Sequence, residues 1–270
     1  MPNLSCCRIC SSEFNANPII SYDGMPQSAQ QLPNKKTISQ DKGIALEVVQ
    51  CSSCGVVQLT SEPVSYFREV IRASAVSIEM SAHRQHQFLQ FVDQYRLEGK
   101  KVVEIGCGRG EYLQILAGCD VDASGIEYGA DSVCFARKIG LNVTQMFIET
   151  GDAIIPDGPF EGFLLLNFLE HLPDPSSVLA GIHKNLRDGG IGLVEVPNFD
   201  MIVEKSLFTE FVADHLFYFS RDTLSTTLTR NGFNLISCDE SWHGYTISAI
   251  VQKRGPIDFS KASQATSGTS

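Results

Sequence analysis

Residues 100–116, KKVVEIGCGRGEYLQIL, constrain the fold more than any other stretch of the chain. An apolar run, Val102, Val103 and Ile105, leads into glycines at three alternate positions, Gly106, Gly108 and Gly110. Tyr112, Leu113 and Leu116 follow at helical spacing. Strand, tight glycine turn and helix in that order open a nucleotide-binding α/β unit. Glycine is required because the backbone turns sharply and a ligand lies close against it, where a Cβ would intrude. The spacing also discriminates between ligands. A dinucleotide fingerprint reads G-x-G-x-x-G and sets a pyrophosphate over the helix N-terminus. Here the run is E-x-G-x-G-x-G, with an acid, Glu104, inside the strand.

Beyond this unit, strand-like and helical runs alternate. Residues 121–128 (VDASGIEY) read as the second strand, with Glu127 at its end, and 131–139 as the next helix. An acid there suits a ribose, since only a two-oxygen acceptor grips both hydroxyls. Residues 141–146 read as a third strand, followed by Phe147, a ring suited to walling an adenine. Residues 160–168 form a fourth, largely apolar strand that runs into Leu169-Glu170-His171. A helix over 179–186, stopped at Asp188-Gly189-Gly190, precedes a fifth strand over 191–196 that closes at Pro197-Asn198. A helix over 221–231 and strands over 233–239 and 245–253 complete the pattern. Such alternation predicts a parallel, right-handed, doubly wound α/β sheet whose ligands bind beyond the C-terminal strand ends. Glu127, Phe147, Asn167, Phe168, His171 and Pro197-Asn198 should gather there beside the glycine turn.

The region before the glycine turn follows other rules. Cys7 with Cys10, and Cys51 with Cys54, are two C-x-x-C pairs, and each short turn brings two sulfurs to the same side. Two such knuckles predict a closed, structural, four-thiolate zinc site, with Gly55 free to take positive φ just after the second pair. Cys6 has the wrong spacing and is left out. Residues 45–50 and 56–59 read as a hairpin-like pair around the second knuckle, while Gly24-Met25-Pro26 and Gln31-Leu32-Pro33 read as turns or extended pieces. Past Pro63 the pattern becomes helical, with a helix over 77–95 ended at Gly99. Its Glu79, His83 and His86 share a face, and polar residues at helical spacing read as a solvated face rather than a metal site. The expected organisation is a zinc-binding subdomain over 1–75, a catalytic domain over 76–254 and a disordered tail over 255–270, where apolar content is too low to pack.

Charge narrows the partners. The net charge is −10, yet acids and bases balance over residues 1–75, so the excess acidity falls on the catalytic body. Phosphate backbones need a basic face, which argues against nucleic acid. No apolar run approaches the roughly 20 residues that span a bilayer, and no signal-peptide pattern opens the chain. Nine cysteines in that setting point to a reducing compartment, with the cytoplasm as the expected location. A small molecule is the expected partner.

The run EIGCGRG resembles motif I of the class I S-adenosylmethionine (SAM) methyltransferases. Taken with the C-x-x-C pairs and the runs FLEHLPDP, LRDGGIGLVEVPN and HLFYFS, the chain is similar over about residues 6–254 to their zinc-containing subgroup. That subgroup includes C-methyltransferases of nucleotide-activated deoxysugars. The resemblance implies a Rossmann-like, seven-stranded sheet. It implies SAM held by Glu104, Gly106, Cys107, Gly108, Gly110, Glu127, Tyr128, Phe147, Asn167, Phe168 and His171. It also implies methyl transfer to a small molecule, a sugar nucleotide or sugar-derived natural product, foremost as C-methylation of a keto-sugar. The sugar enzymes carry a further C-terminal domain, which this chain stops short of, and a tyrosine–histidine–glutamate–histidine run. Here that run is Val212-Ala213-Asp214-His215, so only the last histidine matches and Asp214 is a shorter acid. An O- or N-methyltransferase on a natural-product scaffold and a non-catalytic SAM-binding scaffold protein are the alternatives.

Methyl transfer from SAM is an in-line displacement, so the protein must mainly align the acceptor and remove a proton where needed. His215 is the first candidate base, because an ordinary imidazole exchanges protons near neutrality. His171 is the second and His243 the third, and Asp214 is the neighbouring acid.

Overall fold

The structure, a computed structural model, describes residues 5–14, 17–29, 33–40, 42–69 and 76–255. The expected tail lies outside the described residues apart from Gly255. So do Gln31 and Leu32 of the second N-terminal turn.

Three strands come first: β1 (Ile20–Met25), β2 (Ile44–Gln50) and β3 (Val57–Leu59). β2 alternates buried Leu46 and Val48 with outward residues, as a half-covered strand does. β2 and β3 pair antiparallel, with Val48 opposite Leu59. β1 was not foreseen. Gly24-Met25 reads as a turn or extended piece in sequence, and both residues end a strand that pairs antiparallel with β2.

The segment past Pro63 turns before it becomes helical. Helix α1 (Ile78–Tyr95) starts where Ser77 accepts a hydrogen bond from Met80 N–H and stops at Arg96, which takes the left-handed cap at φ 55°. That cap, placed at Gly99 by the sequence, is three residues earlier.

The central sheet then forms in alternation: β4 (Lys101–Ile105), α2 (Glu111–Ala117), β5 (Asp122–Glu127), α3 (Ala130–Lys138), β6 (Val143–Gln145), β7 (Phe160–Leu166), α4 (Pro175–Lys184) and β8 (Leu186–Pro197). After α5 (Phe199–Glu204) and β9 (Phe217–Tyr218) come α6 (Arg221–Arg230), β10 (Phe233–Ser241) and β11 (Thr246–Lys253). The seven strands lie in the order β10-β11-β8-β7-β4-β5-β6. Pairs among β8, β7, β4, β5 and β6 are parallel, but β11 runs antiparallel to both β8 and β10. The all-parallel expectation fails at this strand because a short turn joins β10 to β11, and a short turn reverses the chain. α4 also starts a turn before its expected place. Asp174 accepts from Ser177 N–H as N-cap and Pro175 opens the first turn, a start signal the apolar spacing obscured.

Alternate side chains of the central strands feed two cores. Val103, Ile105, Phe163, Leu165 and Val194 join α4 and α6 on one face. Val102, Leu164, Leu166 and Leu193 meet Phe88 of α1, Leu113 of α2 and Val133 of α3 on the other. A sheet covered on both sides is the doubly wound arrangement. A second sheet, β1-β2-β3-β9, takes its last strand from the far end of the chain, with Gln58 opposite Phe217. Among the described residues no helix is long and apolar enough to cross a membrane.

Candidate active site

The glycine turn is tied to β5 at two points, since the N–H groups of Gly106 and Cys107 both donate to Ile126 O, at 2.9 and 3.0 Å. Gly106, Gly108 and Gly110 all hold positive φ, 72°, 56° and 90°, which L side chains rarely adopt. Glu127 ends β5 with only 2% of its surface exposed. One carboxylate oxygen accepts Gly108 N–H at 3.0 Å and the other accepts Gly129 N–H at 2.7 Å. Its carboxylate is therefore oriented before any ligand arrives.

Beside Glu127 lies a narrow cavity lined by Gly106, Tyr128, Phe147, Phe168, Arg68 and several aliphatic side chains. Phe147 meets Phe67, Tyr128 and Phe168 edge-on, at centroid distances of 5.9, 6.4 and 6.4 Å. Five predicted cofactor residues thus line the cavity: Gly106, Glu127, Tyr128, Phe147 and Phe168. Gly108 touches it through Glu127.

The other candidates sit differently. Glu104 is buried within β4. The Cys107 sulfur lies under Gly125, where an added Cβ would meet it at 2.6 Å, so this side chain packs the turn onto β5. A Cβ on Gly110 would stand 2.3 Å from Leu141 Cδ1, which makes its glycine a packing requirement. Asn167 continues β7 in the left-handed region, φ 49°, and its N–H donates to Glu195 O at 2.8 Å.

A second cluster follows β7. Leu169–His171 makes one turn of 3-10 helix, and its Glu170 O accepts Leu216 N–H at 2.8 Å, docking the segment before β9 by its main chain. His171 Nδ1 lies 2.8 Å from Asp214 O. A carbonyl only accepts, so Nδ1 carries the proton and Nε2 keeps its lone pair. The His171 and His215 rings meet edge-on at 4.8 Å. Burial, and then the neighbouring His171, push the His215 imidazole down to about 3, so it stays neutral at pH 7. Burial lowers His171 as well. Glu170, 1% exposed, is pushed up to about 8 by desolvation, and its Oε2 has no hydrogen-bond partner among the described residues.

Asp214 does not face solvent. It accepts Ala29 N–H and the Tyr66 hydroxyl, each at 2.7 Å, and Ser28 Oγ lies 2.6 Å from the same hydroxyl. Its oxygens are committed to holding two N-terminal loops against the cluster, which favours a positioning role over proton transfer. Tyr66 carries no sequence signal of its own and was missed.

Arg84 was missed too. Glu79, His83 and His86 form a partly exposed polar face as expected. Arg84 instead lies on the buried face of α1 with Phe88 and Phe91, where its Nη1 pairs with Glu195 of β8 and donates to Gln87 Oε1. Its guanidinium lies 4.8 Å from the Tyr112 ring in the first turn of α2, and, against the cost of its burial, Glu195 and Tyr112 both favour its charged form. Residues on the polar face bind protein rather than metal, His83 with Ser241 Oγ at 3.2 Å and Glu79 with His243 at 3.1 Å. His243 is thereby held at the β10–β11 turn by an exposed contact with Glu79.

Farther out, the four predicted cysteines converge. Cys7 and Cys54 sulfurs are 3.6 Å apart and those of Cys10 and Cys51 are 3.5 Å apart, and all four lie within 4.8 Å of one another. Tetrahedral zinc with bonds of roughly 2.3 Å needs sulfur separations near 3.8 Å, whereas a disulfide needs about 2 Å. The donor set fits the metal. Ile9 N–H and Gln58 Nε2 point at Cys7 Sγ, at 3.4 and 3.1 Å, as outer hydrogen bonds to a thiolate do.

Comparison with known proteins bears on this arrangement. A family model described as a methyltransferase domain matches residues 80–238. A ubiquinone biosynthesis O-methyltransferase of Thiobacillus denitrificans is 33% identical over 99 residues, covering 35% of this chain and 43% of that protein. The chain thus matches less than half the length of such relatives. A SAM-dependent methyltransferase of Clostridium acetobutylicum superposes with a TM-score of 0.52 at 10% identity, covering 64% of this chain and 92% of the other. The plantazolicin methyltransferase BpumL in complex with SAH does so with a TM-score of 0.52 at 13% identity, covering 66% and 86%. At these identities the likeness speaks for the fold.

Proposed function

The chain belongs to the methyltransferase-domain family, and on that premise we propose that it transfers a methyl group from SAM to a small molecule bound beside His171 and His215. The observation that carries the reading is the Glu127 carboxylate, fixed between two glycine N–H groups at the mouth of an aromatic cavity. The site fits the cofactor: glycine backbone, paired acceptor oxygens for ribose hydroxyls, and rings for a flat base. When bound, SAM supplies an already activated methyl group on a sulfonium, a centre that needs only an in-line nucleophile.

The chain's own residues do the rest. Glu127 grips the ribose, and Phe147, Tyr128 and Phe168 wall the base. Arg84, paired with Glu195 and lying against the Tyr112 ring, braces the first turn of α2 beside the glycine turn. His215 and His171, both neutral at pH 7, stand ready to accept a proton from the acceptor. Glu170, held protonated below about pH 8, donates a hydrogen bond to an acceptor oxygen. An imidazole as weak as His215 needs a negative charge beside it to gain basicity, which a sugar-nucleotide diphosphate provides.

The finer reading is C-methylation next to the carbonyl of a keto-sugar, as the resemblance to the sugar C-methyltransferases implies. O-methylation is the second reading, favoured by the name of the Thiobacillus relative. Incubation with methyl-labelled SAM and a panel of nucleotide keto-sugars and catechols separates them. Label on carbon with loss of the α-proton supports the first, and label on a catechol oxygen alone replaces it with the second. Tight SAM binding with no acceptor methylated would leave a scaffold protein.

Zinc at Cys7, Cys10, Cys51 and Cys54 completes this reading, with residues 1–75 as its subdomain, 76–254 as the catalytic domain and the reducing cytoplasm as its setting. The metal supports the acceptor side at one remove: Gln58 bonds Cys7 and sits on β3, which pairs with β9 just after His215. Metal analysis is expected to find about one zinc per chain. Cys10→Ser or Cys54→Ser should lower the melting temperature and disorder the N-terminal region while SAM affinity falls much less. Metal-free protein that melts normally would remove zinc from the account.

A further inference from the structure

The turn over residues 64–69 joins β3 toward α1 and lies across the mouth of the site. It is closed by Phe67 N–H to Val64 O at 3.1 Å and Glu69 N–H to Tyr66 O at 2.9 Å. One end carries Tyr66 to Asp214 in the acceptor cluster. The other brings Glu69 against Gly129, whose N–H holds Glu127. Arg68 lies between them and lines the aromatic cavity.

Arg68 is more than a surface ion pair. Its Nε and Nη2 donate to the two oxygens of Glu149 at 2.7 and 3.3 Å, a fork that fixes the plane of the guanidinium. The guanidinium carbon lies 4.4 Å from the Phe67 ring centroid, 5.5 Å from Phe147 and 5.9 Å from Tyr128. An exposed salt bridge needs no such surroundings. A flat cation ringed by aromatic side chains and facing a cavity is built to lie on another flat π system.

We propose that Arg68 is a cofactor-binding residue that covers the adenine ring of SAM, so that the segment preceding the methyltransferase domain completes the cofactor site. This rests on the reading of the Glu127 cavity as the adenosine site. It has two consequences: adenine is held from the N-terminal side as well as by the sheet edge, and cofactor affinity responds to a residue outside residues 80–238.

Calorimetry with S-adenosylhomocysteine on the full chain tests it. Arg68→Ala should weaken binding between about 3- and 30-fold, the range for a partly desolvated cation over a ring. Arg68→Lys should fall nearly as far, because an ammonium keeps the charge but not the plane. Glu149→Gln, which loosens the fork, should cost clearly less than Arg68→Ala, and the ligand-free melting temperature should stay within about a degree in all three, as expected for an exposed pair. Unchanged affinity in Arg68→Ala, with binding lost in Glu127→Ala, overturns this inference alone. A Glu149→Gln loss as large as that of Arg68→Ala also overturns it, by making Arg68 a brace for the loop. Wild-type protein that binds no S-adenosylhomocysteine overturns both this inference and the cofactor reading beneath it.

Discussion

Glu127→Ala is expected to weaken S-adenosylhomocysteine binding by about 100-fold or more. The wild-type carboxylate is fixed by the two glycine N–H groups, at 3.0 and 2.7 Å, and in the proposed site its two oxygens meet the two ribose hydroxyls. Hydrogen bonds to a charged group contribute roughly 1.5–3 kcal/mol each, so losing two reaches two decades of affinity. Alanine also leaves the Gly108 and Gly129 N–H groups without their acceptor, and part of the effect could come from a disturbed turn. Glu127→Gln separates the causes, because it keeps the volume and one acceptor oxygen while losing the charge. It should bind about 10-fold more weakly than wild type. Gly108→Val should match the alanine variant, since φ 56° admits no branched side chain without strain. Normal affinity in all three would move the cofactor elsewhere.

What the sequence disclosed and what it hid divide along a physical line. The glycine turn and each cysteine knuckle are local patterns, where backbone geometry follows from residue type, and Glu127 stands out by its place at a strand end. Alternating strands and helices likewise reveal a doubly wound sheet, because each must bury a face of its own period. Arg84 was hidden because its partner is far away in sequence. A charged residue among glutamines and histidines reads as solvated until Glu195, 111 positions later, arrives to pair with it. Tyr66 and Asp214 are 148 positions apart, and nothing in either neighbourhood announces the other. β9, two residues long, exists only because β3 offers it an edge. Cys107 and Gly110 show the converse limit. Both sit inside the motif and look like ligand contacts, yet packing against Gly125 and Leu141 accounts for them. Motif membership reveals where a ligand lies, and only the fold reveals which members touch it.

His215→Ala is expected to lower turnover about 10²- to 10⁴-fold, the usual contribution of a general base, with S-adenosylhomocysteine affinity nearly unchanged. Affinity should hold because His215 belongs to the cluster after β7 and does not line the Glu127 cavity. Its burial makes the pH dependence diagnostic. An ordinary histidine base would give kcat/KM an acid limb near pH 6.5. His215, pushed down to about 3, stays deprotonated in the free enzyme, so kcat/KM should show no His215 limb between pH 5 and 8. A limb that appears in kcat alone would mean that a bound, negatively charged acceptor has raised the imidazole, which fits the diphosphate reading. Stability should respond with a definite sign. Below pH 6.5 the unfolded chain binds protons that folded His215 refuses until about pH 3, so wild-type stability falls with acidification over that window. The alanine variant should lose less stability over the same range. A variant with full turnover would transfer the base role to His171, whose Nε2 lone pair is left open by the Asp214 carbonyl. A variant that loses cofactor binding as well would make His215 a structural residue, since a base that only meets the acceptor has no part in holding the cofactor.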